Sequence, residues 1–80
     1  MHLDIVTPSE NIFSGEIKLI QLPGSNGSFE LLENHAPIVS TLNKGIIRII
    51  TKDGRDKTFE IGGGVLEAAE NKVTALVESV

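Results

Sequence analysis

Short segments in which apolar and polar side chains alternate recur along the whole chain. Alternation with a period of two is typical of a β-strand that buries one face. The alternating apolar positions are Leu3 and Ile5; Ile17 and Leu19; Ile47 and Ile49; Phe59 and Ile61; and Val73, Ala75 and Val77. The pattern predicts an all-β fold.

Turn-forming residues separate these segments about every eight to twelve residues, a spacing typical of β-sandwiches and barrels. The predicted turns are Thr7-Pro8-Ser9, Ser14-Gly15, Pro23 to Gly27, Asn43-Lys44-Gly45, Asp53-Gly54, Gly62-Gly63-Gly64 and Glu70-Asn71. The clearest hairpin joins residues 46–51 to residues 56–61, because Asp53-Gly54 tolerates the positive φ of tight hairpin turns.

Three segments depart from simple alternation. The apolar phase shifts between Leu19 and Ile20, and only Arg48 interrupts the isoleucines of residues 46–50. We expect both strands to bury part of each face or to contain a bulge. Residues 66–70 (LEAAE) favour a helix locally, but five residues cannot sustain one, so they are predicted to be a strand that runs into a turn.

Composition narrows the class of protein further. The 80 residues predict a single domain, 1–80. Because the chain has no cysteine and only two histidines, we expect neither disulfides nor a structural metal to stabilise it. No stretch is long and apolar enough for a membrane-spanning helix, so we expect a soluble chain. A net charge of −4 disfavours nucleic acid and anionic lipid as partners.

Residues suited to chemistry are few. His35, with Glu33 two positions away, is the main candidate base or metal ligand, but a surface or capping role is favoured because no third ligand is evident. Gly62-Gly63-Gly64 lacks the lysine of a phosphate loop and is interpreted as tight backbone packing or a bulge. Asn26-Gly27-Ser28 matches a glycosylation sequon and is interpreted as a turn.

Residues 31–39 (LLENHAPIV) interrupt the strand pattern with Asn34, His35 and Pro37 between apolar side chains. Such a loop is either a well-capped corner or a recognition edge, and its composition does not distinguish the two.

The order of these motifs resembles the epsilon subunit of F-type ATP synthases. The resemblance is carried by residues 22–29 (LPGSNGSF) and 34–38 (NHAPI), and it extends over nearly the whole length. Further matching segments are residues 2–8 (HLDIVTP), 13–16 (FSGE), 44–49 (KGIIRI), 62–67 (GGGVLE) and 71–74 (NKVT). Glu30 and Glu33 depart from the family pattern, which commonly has glycine and proline there.

The resemblance implies a flattened two-sheet β-sandwich of about ten short strands without the C-terminal helical hairpin of many relatives. It implies a non-catalytic central-stalk subunit that links gamma to the c-ring and couples ion flow to ATP synthesis. No cofactor or metal, and no inhibitory or nucleotide-binding activity, is implied for this chain. The expected location is peripheral, on the cytoplasmic face of the bacterial inner membrane.

The same resemblance implies sites on two loops, residues 24–29 and 34–37. The expected contacts with gamma or the c-ring are Ser28, Glu30, Asn34, His35 and Pro37. The alternative is that these residues only form turns, and this role is favoured for the glycines. Gly24 and Gly27 would supply unusual dihedral angles, and Gly63 would be a turn residue. Asn34 would then cap and Pro37 would stiffen a corner.

Two other classes of protein remain as alternatives. A free-standing ligand-binding β-module would need a concave apolar pocket, for which an 80-residue core has little volume. A small hydrolase built on Ser, His and Asp would need a hydroxyl within hydrogen-bond reach of His35.

Overall fold

The computed structural model describes residues 1–79, which form eight β-strands and no helix. The predicted all-β fold is therefore confirmed. In chain order the strands are β1 His2–Val6, β2 Asn11–Gly24, β3 Gly27–Leu32, β4 Ile38–Leu42, β5 Gly45–Thr51, β6 Asp56–Ile61, β7 Gly64–Ala69 and β8 Lys72–Val77.

Strand β2 is one reason that residues 1–79 contain eight strands instead of the expected ten or so. It continues for 14 residues through Ser14-Gly15, where the sequence predicted a turn. Ser14 pairs with Asp4 and Gly15 with Leu3, so the antiparallel partner β1 keeps this segment extended. The Ser14-Gly15 turn prediction was wrong because glycine and serine mark a turn only when no neighbouring strand binds their backbone.

The strands form two layers that share β2. Strands β1, β8, β7 and β4 are hydrogen-bonded in that order, and β3, β2, β5 and β6 form the second run. The first half of β2 pairs with β1, whereas its second half pairs with β3 and β5. Strands β1 and β8 are parallel. A strand that serves both layers is one way in which a sandwich closes around its core.

The core lies between the layers and consists of aliphatic side chains from every strand. It includes fully buried residues from both layers, such as Leu3, Ile20, Ile47 and Leu66. The buried apolar residues are Met1, Leu3, Ile5, Ile17, Ile20, Leu22, Leu31, Leu42, Ile47, Ile49, Ile61, Leu66, Ala68, Val73, Ala75 and Val77. Alternation along each strand therefore leaves a second, outward face on each layer.

The predicted irregularity in β2 is a bulge. Its pairing with β5 shifts between Ile17 and Leu19, so Lys18 is the extra residue. A bulge of this kind changes which face the following side chains occupy, and it explains the phase shift in the sequence. In β5 the alternation is regular: Ile47 and Ile49 are buried, while Ile46 is exposed.

The predicted β5–β6 hairpin and the predicted strand and turn at residues 66–71 are both confirmed. Strands β5 and β6 pair from Gly45–Ile61 to Ile50–Asp56, and Gly54 has a φ of 89° at the turn. Residues 66–69 lie in β7, and the following turn places Glu70 and Asn71 at φ values of 52° and 60°.

The glycines of the predicted turns have two different roles. Gly27 and Gly63 have φ values of 119° and 126°, which strongly favour glycine. Gly24 was expected to supply an unusual dihedral angle, but it is an ordinary residue of β2. It is glycine because a Cβ there would lie 2.7 Å from the Gly27 carbonyl oxygen and from the Phe29 ring.

Candidate docking surfaces

Ser28 and Glu30 lie on β3, not in a loop. The connection between β2 and β3 is only Ser25-Asn26, because Pro23 pairs with Ser28 and Gly24 with Gly27. The side chains of Ser28 and Glu30 are exposed on the same face of the strand. The expected contact residues of this segment are therefore held in a regular ladder.

Asn34 is attached to the other layer. Its backbone N–H donates to Asn71 Oδ1 at 2.7 Å, and Asn71 Nδ2 donates back to Asn34 Oδ1 at 3.3 Å. Asn34 has a φ of 62°, a conformation that asparagine tolerates better than most residues. The loop of residues 33–37 is thus fastened to the β7–β8 turn, and Asn34 does not join the neighbourhood of Glu30.

His35 is half-buried within this loop, and Pro37 is exposed beside it. Nδ1 of His35 lies 3.1 Å from the Ala36 carbonyl oxygen, which fixes Nδ1–H as the donor. Nε2 is enclosed and has no hydrogen-bond partner within residues 1–79. The environment is that of a loop-ordering side chain, and no hydroxyl of residues 1–79 is hydrogen-bonded to the ring.

Four side chains form a continuous polar belt across the outer surface of β3, β2, β5 and β6. Gln21 Nε2 donates to Glu30 Oε1 at 3.2 Å, and Arg48 Nη1 donates to Gln21 Oε1 at 3.3 Å. Arg48 also makes a bidentate pair with Asp56, with its shortest bond, Nη2 to Oδ2, at 2.7 Å. The pKa of Arg48 is raised, first by this hydrogen bond and then by the charge of Asp56.

A groove of about 570 Å³ lies beside the polar belt and is open to solvent. Its floor and walls combine charged, polar and apolar side chains from four strands. The lining residues are Gln21, Leu22, Pro23, Ser28, Phe29, Glu30, Ile46, Arg48 and Thr58. An open groove of this kind suits a side chain or loop of a partner better than an enclosed small molecule.

The opposite outer surface, on β1, β8, β7 and β4, has an apolar stripe. Val6 is the register partner of Leu76, and Leu76 is the partner of Val65. Val39 lies two residues before Thr41, the partner of Val65, and is therefore on the same face. Leu76 is 51% exposed and Val39 is 72% exposed. Contiguous exposed apolar side chains on a small domain mark an interaction surface.

A serine, a histidine and carboxylates meet on β1 and β2, a combination that the sequence reasoning missed. His2 Nδ1 lies 3.0 Å from Glu16 Oε2, and His2 Nε2 lies 3.3 Å from Asp4 Oδ1 and 3.5 Å from Ser14 Oγ. A hydrogen bond from the Ser14 hydroxyl is the largest cause that lowers the pKa of Asp4. The groove beside the polar belt does not include this cluster.

The described part of the chain offers no metal centre, since no three His, Asp or Glu residues are arranged to hold an ion. Within residues 1–79 there is also no helix of the length and hydropathy needed to cross a bilayer.

These features define a small β-sandwich module with an apolar stripe on one outer surface and a polar belt on the other, where Leu32 and Ile46 are also exposed. Its sequence, residues 1–80, matches the family described as the β-sandwich domain of the ATP synthase delta/epsilon chain. The chain belongs to this family.

Curated relatives support the assignment. The chain is 45% identical over 78 residues to an ATP synthase epsilon chain of Chlorobaculum tepidum, covering 98% of this chain and 89% of that one. It is 43% identical to an epsilon chain of Campylobacter hominis, covering 95% of this chain but only 59% of the relative. The family therefore includes chains of similar length and considerably longer ones.

Solved structures show the same fold. A chain in the mitochondrial ATP synthase of Euglena gracilis superposes with a TM-score of 0.87 at 22% identity, covering 94% of this chain and 48% of that one. A chain in the central stalk and c-ring of the Tetrahymena thermophila mitochondrial ATP synthase superposes with a TM-score of 0.79 at 20% identity, covering 99% and 63%. The expected two-layer sandwich is confirmed.

Proposed function

We propose that this chain is a non-catalytic rotor subunit of an F-type ATP synthase that joins the gamma subunit to the c-ring and couples ion flow to ATP synthesis. The observation that carries the proposal is family membership along 98% of the chain, at 45% identity to a named epsilon chain. Residues 1–80 would act as one unit. The proposal concerns the sandwich alone, which is the part shared with the longer relatives.

The apolar stripe is the surface best suited to gamma. Permanent partners bury more apolar area than transient ones do, and the stripe crosses four hydrogen-bonded strands that cannot move independently. Attachment through such a surface would pass torque through a stiff sheet. Val6, Val65 and Leu76 form its continuous row.

The polar contacts to gamma or the c-ring are assigned to Ser28, Glu30, Asn34, His35 and Pro37. Support comes from their positions: all but the half-buried His35 are exposed, and the two segments are tied to different layers. A contact to both segments would therefore hold both layers at once. No cofactor or metal enters the proposal.

The proposed location is the cytoplasmic face of a bacterial inner membrane, bound peripherally through the complex. Its support is that two relatives of similar length, from Chlorobaculum tepidum and Chlorobium limicola, are bacterial ATP synthase epsilon chains.

The test is capture of this chain by its host's purified gamma subunit and detergent-solubilised c-ring at controlled salt. We expect stable one-to-one capture by gamma, and substitution of residues 28–35 should weaken it or weaken binding to the c-ring. Circular dichroism of each variant establishes that the sandwich remains folded.

Failure of the folded wild-type chain to bind either partner would contradict the rotor assignment. Thermal stabilisation by a small metabolite would then favour the ligand-binding module instead.

A further inference from the structure

The polar belt holds the Glu30 side chain in a defined position, although exposed glutamates usually adopt several rotamers. Gln21 is the register partner of both Glu30 and Arg48, so the three side chains lie in one row across β3, β2 and β5. The side-chain amide of Gln21 donates to Glu30 and accepts from Arg48. The amide orientation is therefore fixed from both sides.

Arg48 is in turn fixed from the edge strand β6. Its Nε and Nη2 both bond the Asp56 carboxylate, which leaves Nη1 directed at Gln21. A bidentate guanidinium–carboxylate pair specifies orientation as well as distance. Asp56 pairs with Arg48 directly, whereas Glu30 is hydrogen-bonded to Arg48 only through the amide of Gln21; the charge of Glu30 also raises the pKa of Arg48, but less than Asp56 does.

Glu30 itself remains without a cationic partner within 4.0 Å among residues 1–79. Gln21 occupies only Oε1, and the carboxylate is exposed at the border of the 570 Å³ groove. Phe29, Pro23 and Ile46 provide apolar walls next to it. A carboxylate beside apolar walls is complementary to a side chain with an aliphatic stem and a cationic head.

We propose that this groove receives one basic side chain, arginine or lysine, from the rotor partner of the chain. Glu30 accepts the hydrogen bonds of the cation, the apolar walls hold its stem, and Gln21, Arg48 and Asp56 are positioning residues. The inference rests on the proposed function for the source of the side chain. The groove chemistry is independent of that source.

The first experiment uses the whole chain and N-acetyl-arginine amide as the probe, followed by amide NMR at low ionic strength. We expect saturable shifts at Phe29, Glu30 and Ile46 and none with N-acetyl-citrulline amide, its neutral isostere. Glu30→Gln should weaken probe binding about tenfold, since it removes a charge-assisted hydrogen bond. Glu10→Gln, which changes an exposed carboxylate in the β1–β2 connection, is the matched control and should change nothing.

The positioning role has a separate readout. Gln21→Met removes the amide at nearly constant volume, and we expect probe affinity to fall about threefold, because Glu30 loses the hydrogen bond that orients its carboxylate. Arg48→Met should act in the same direction, and Arg48→Lys should recover part of the loss. Arg55→Gln removes an exposed arginine outside the polar belt and serves as the control.

The second experiment measures capture by gamma and by the c-ring for the same variants. Weaker capture of Glu30→Gln by one partner identifies the source of the basic side chain. If wild type captures both partners but binds no arginine probe, and Glu30→Gln captures normally, the groove proposal is overturned while the rotor assignment stands. If wild type captures neither partner, the rotor assignment fails. The probe experiment then still decides whether the groove binds a basic side chain.

Discussion

On the outer surface of β1, β8, β7 and β4, the side chains of the apolar stripe make no hydrogen bonds and meet solvent directly. On the outer surface of β3, β2, β5 and β6, the side chains of the polar belt bond one another from edge to edge. The two surfaces share a core and a strand, yet the side chains of one are free of hydrogen bonds and those of the other are ordered by them.

This difference teaches how a small sheet can separate affinity from selectivity. An apolar stripe gains free energy from any partner that covers it, because removal of apolar area from water has no direction. A polar belt gains little from burial, but it rejects partners that leave its hydrogen bonds unmet. We infer that the first surface provides strength of attachment and the second provides choice of partner and register.

The largest expected effect is on stability and comes from a substitution that disrupts the backbone pairing of β7 with β8 on the stripe surface. Gly64 begins β7 with a φ of 156°, and a Cβ there would overlap the Leu76 carbonyl oxygen and lie 2.9 Å from Val77 Cα. Gly64→Ala should therefore cost about 3 kcal/mol or more of the free energy of unfolding and lower Tm by about 15 °C. Thermal unfolding measures this directly.

Gly54→Ala is the matched control on the other surface. Gly54 has a φ of 89°, but no atom lies within 4 Å of a Cβ there. Its cost should be limited to the strain of a left-handed alanine, about 1 kcal/mol. Equal effects of the two substitutions would contradict the close packing of β7 on β8.

The next prediction compares how much each surface contributes to binding of gamma. Leu76 and Leu32 are 51% and 54% exposed, on the stripe surface and on β3 respectively. Leu76→Lys should weaken capture by gamma over a hundredfold, or about 3 kcal/mol, because an unpaired charge would be buried. Leu32 lies among the proposed polar contacts on β3, so Leu32→Lys should also weaken capture, but by about tenfold at most. Similar losses for both, in surface-plasmon measurements, would show that the apolar stripe has no special role.

Strands and hairpins could be predicted from this sequence, whereas the surfaces could not. Asp53-Gly54 between two alternating segments specifies the β5–β6 hairpin locally, and the prediction was confirmed. Ser14-Gly15 has the same local appearance, but its extended state depends on β1, and this pairing is not visible in the sequence. Local signals identify a turn only where no distant strand competes.

The polar belt was missed for a related reason. Gln21, Glu30, Arg48 and Asp56 are ordinary exposed residues in the sequence, and only the register of four strands brings them into one chain of hydrogen bonds. Glu30 had been expected as a contact residue from a family resemblance, but nothing in the sequence indicated what holds it. The register of the strands, not the composition of the sequence, determines which of these side chains meet.

A smaller effect tests whether the two surfaces are mechanically joined. Asn71, with a φ of 60° at the β7–β8 turn, accepts a hydrogen bond from the N–H of Asn34, which follows β3. Asn71→Ala loses this bond and strains the turn, so it should cost about 2 kcal/mol. Asn71→Gly loses the same bond without the strain and should cost about 1 kcal/mol less than alanine.

Hydrogen exchange at the Asn34 amide distinguishes the bond from the strain. Both Asn71 variants should accelerate its exchange, while global stability differs between them. Unchanged exchange at Asn34 in both variants would show that the loop of residues 33–37 is ordered without help from the stripe surface.

The smallest effect compares one carboxylate on each side of the molecule. The pKa of Asp4, on β1, is lowered mainly by the Ser14 hydroxyl, and that of Asp53, at the β5–β6 turn, mainly by the Thr51 hydroxyl. Each group favours the folded state through its charged form. Its contribution is therefore complete above the unfolded pKa of about 3.9 and is lost as pH falls through the lower folded pKa.

Carboxyl NMR titrations of two hydroxyl variants make this comparison specific. Ser14→Ala should raise the pKa of Asp4 and leave Asp53 unchanged, and Thr51→Val should do the reverse, because each carboxylate loses one hydrogen bond to its charged form. Asp4 also faces His2 and Lys72, whereas Asp53 faces Arg55 and Lys57, so part of each depression should persist. Complete recovery of the ordinary pKa in either variant would mean that neighbouring charges contribute nothing, and that the hydroxyl alone sets the acid sensitivity of that side of the sandwich.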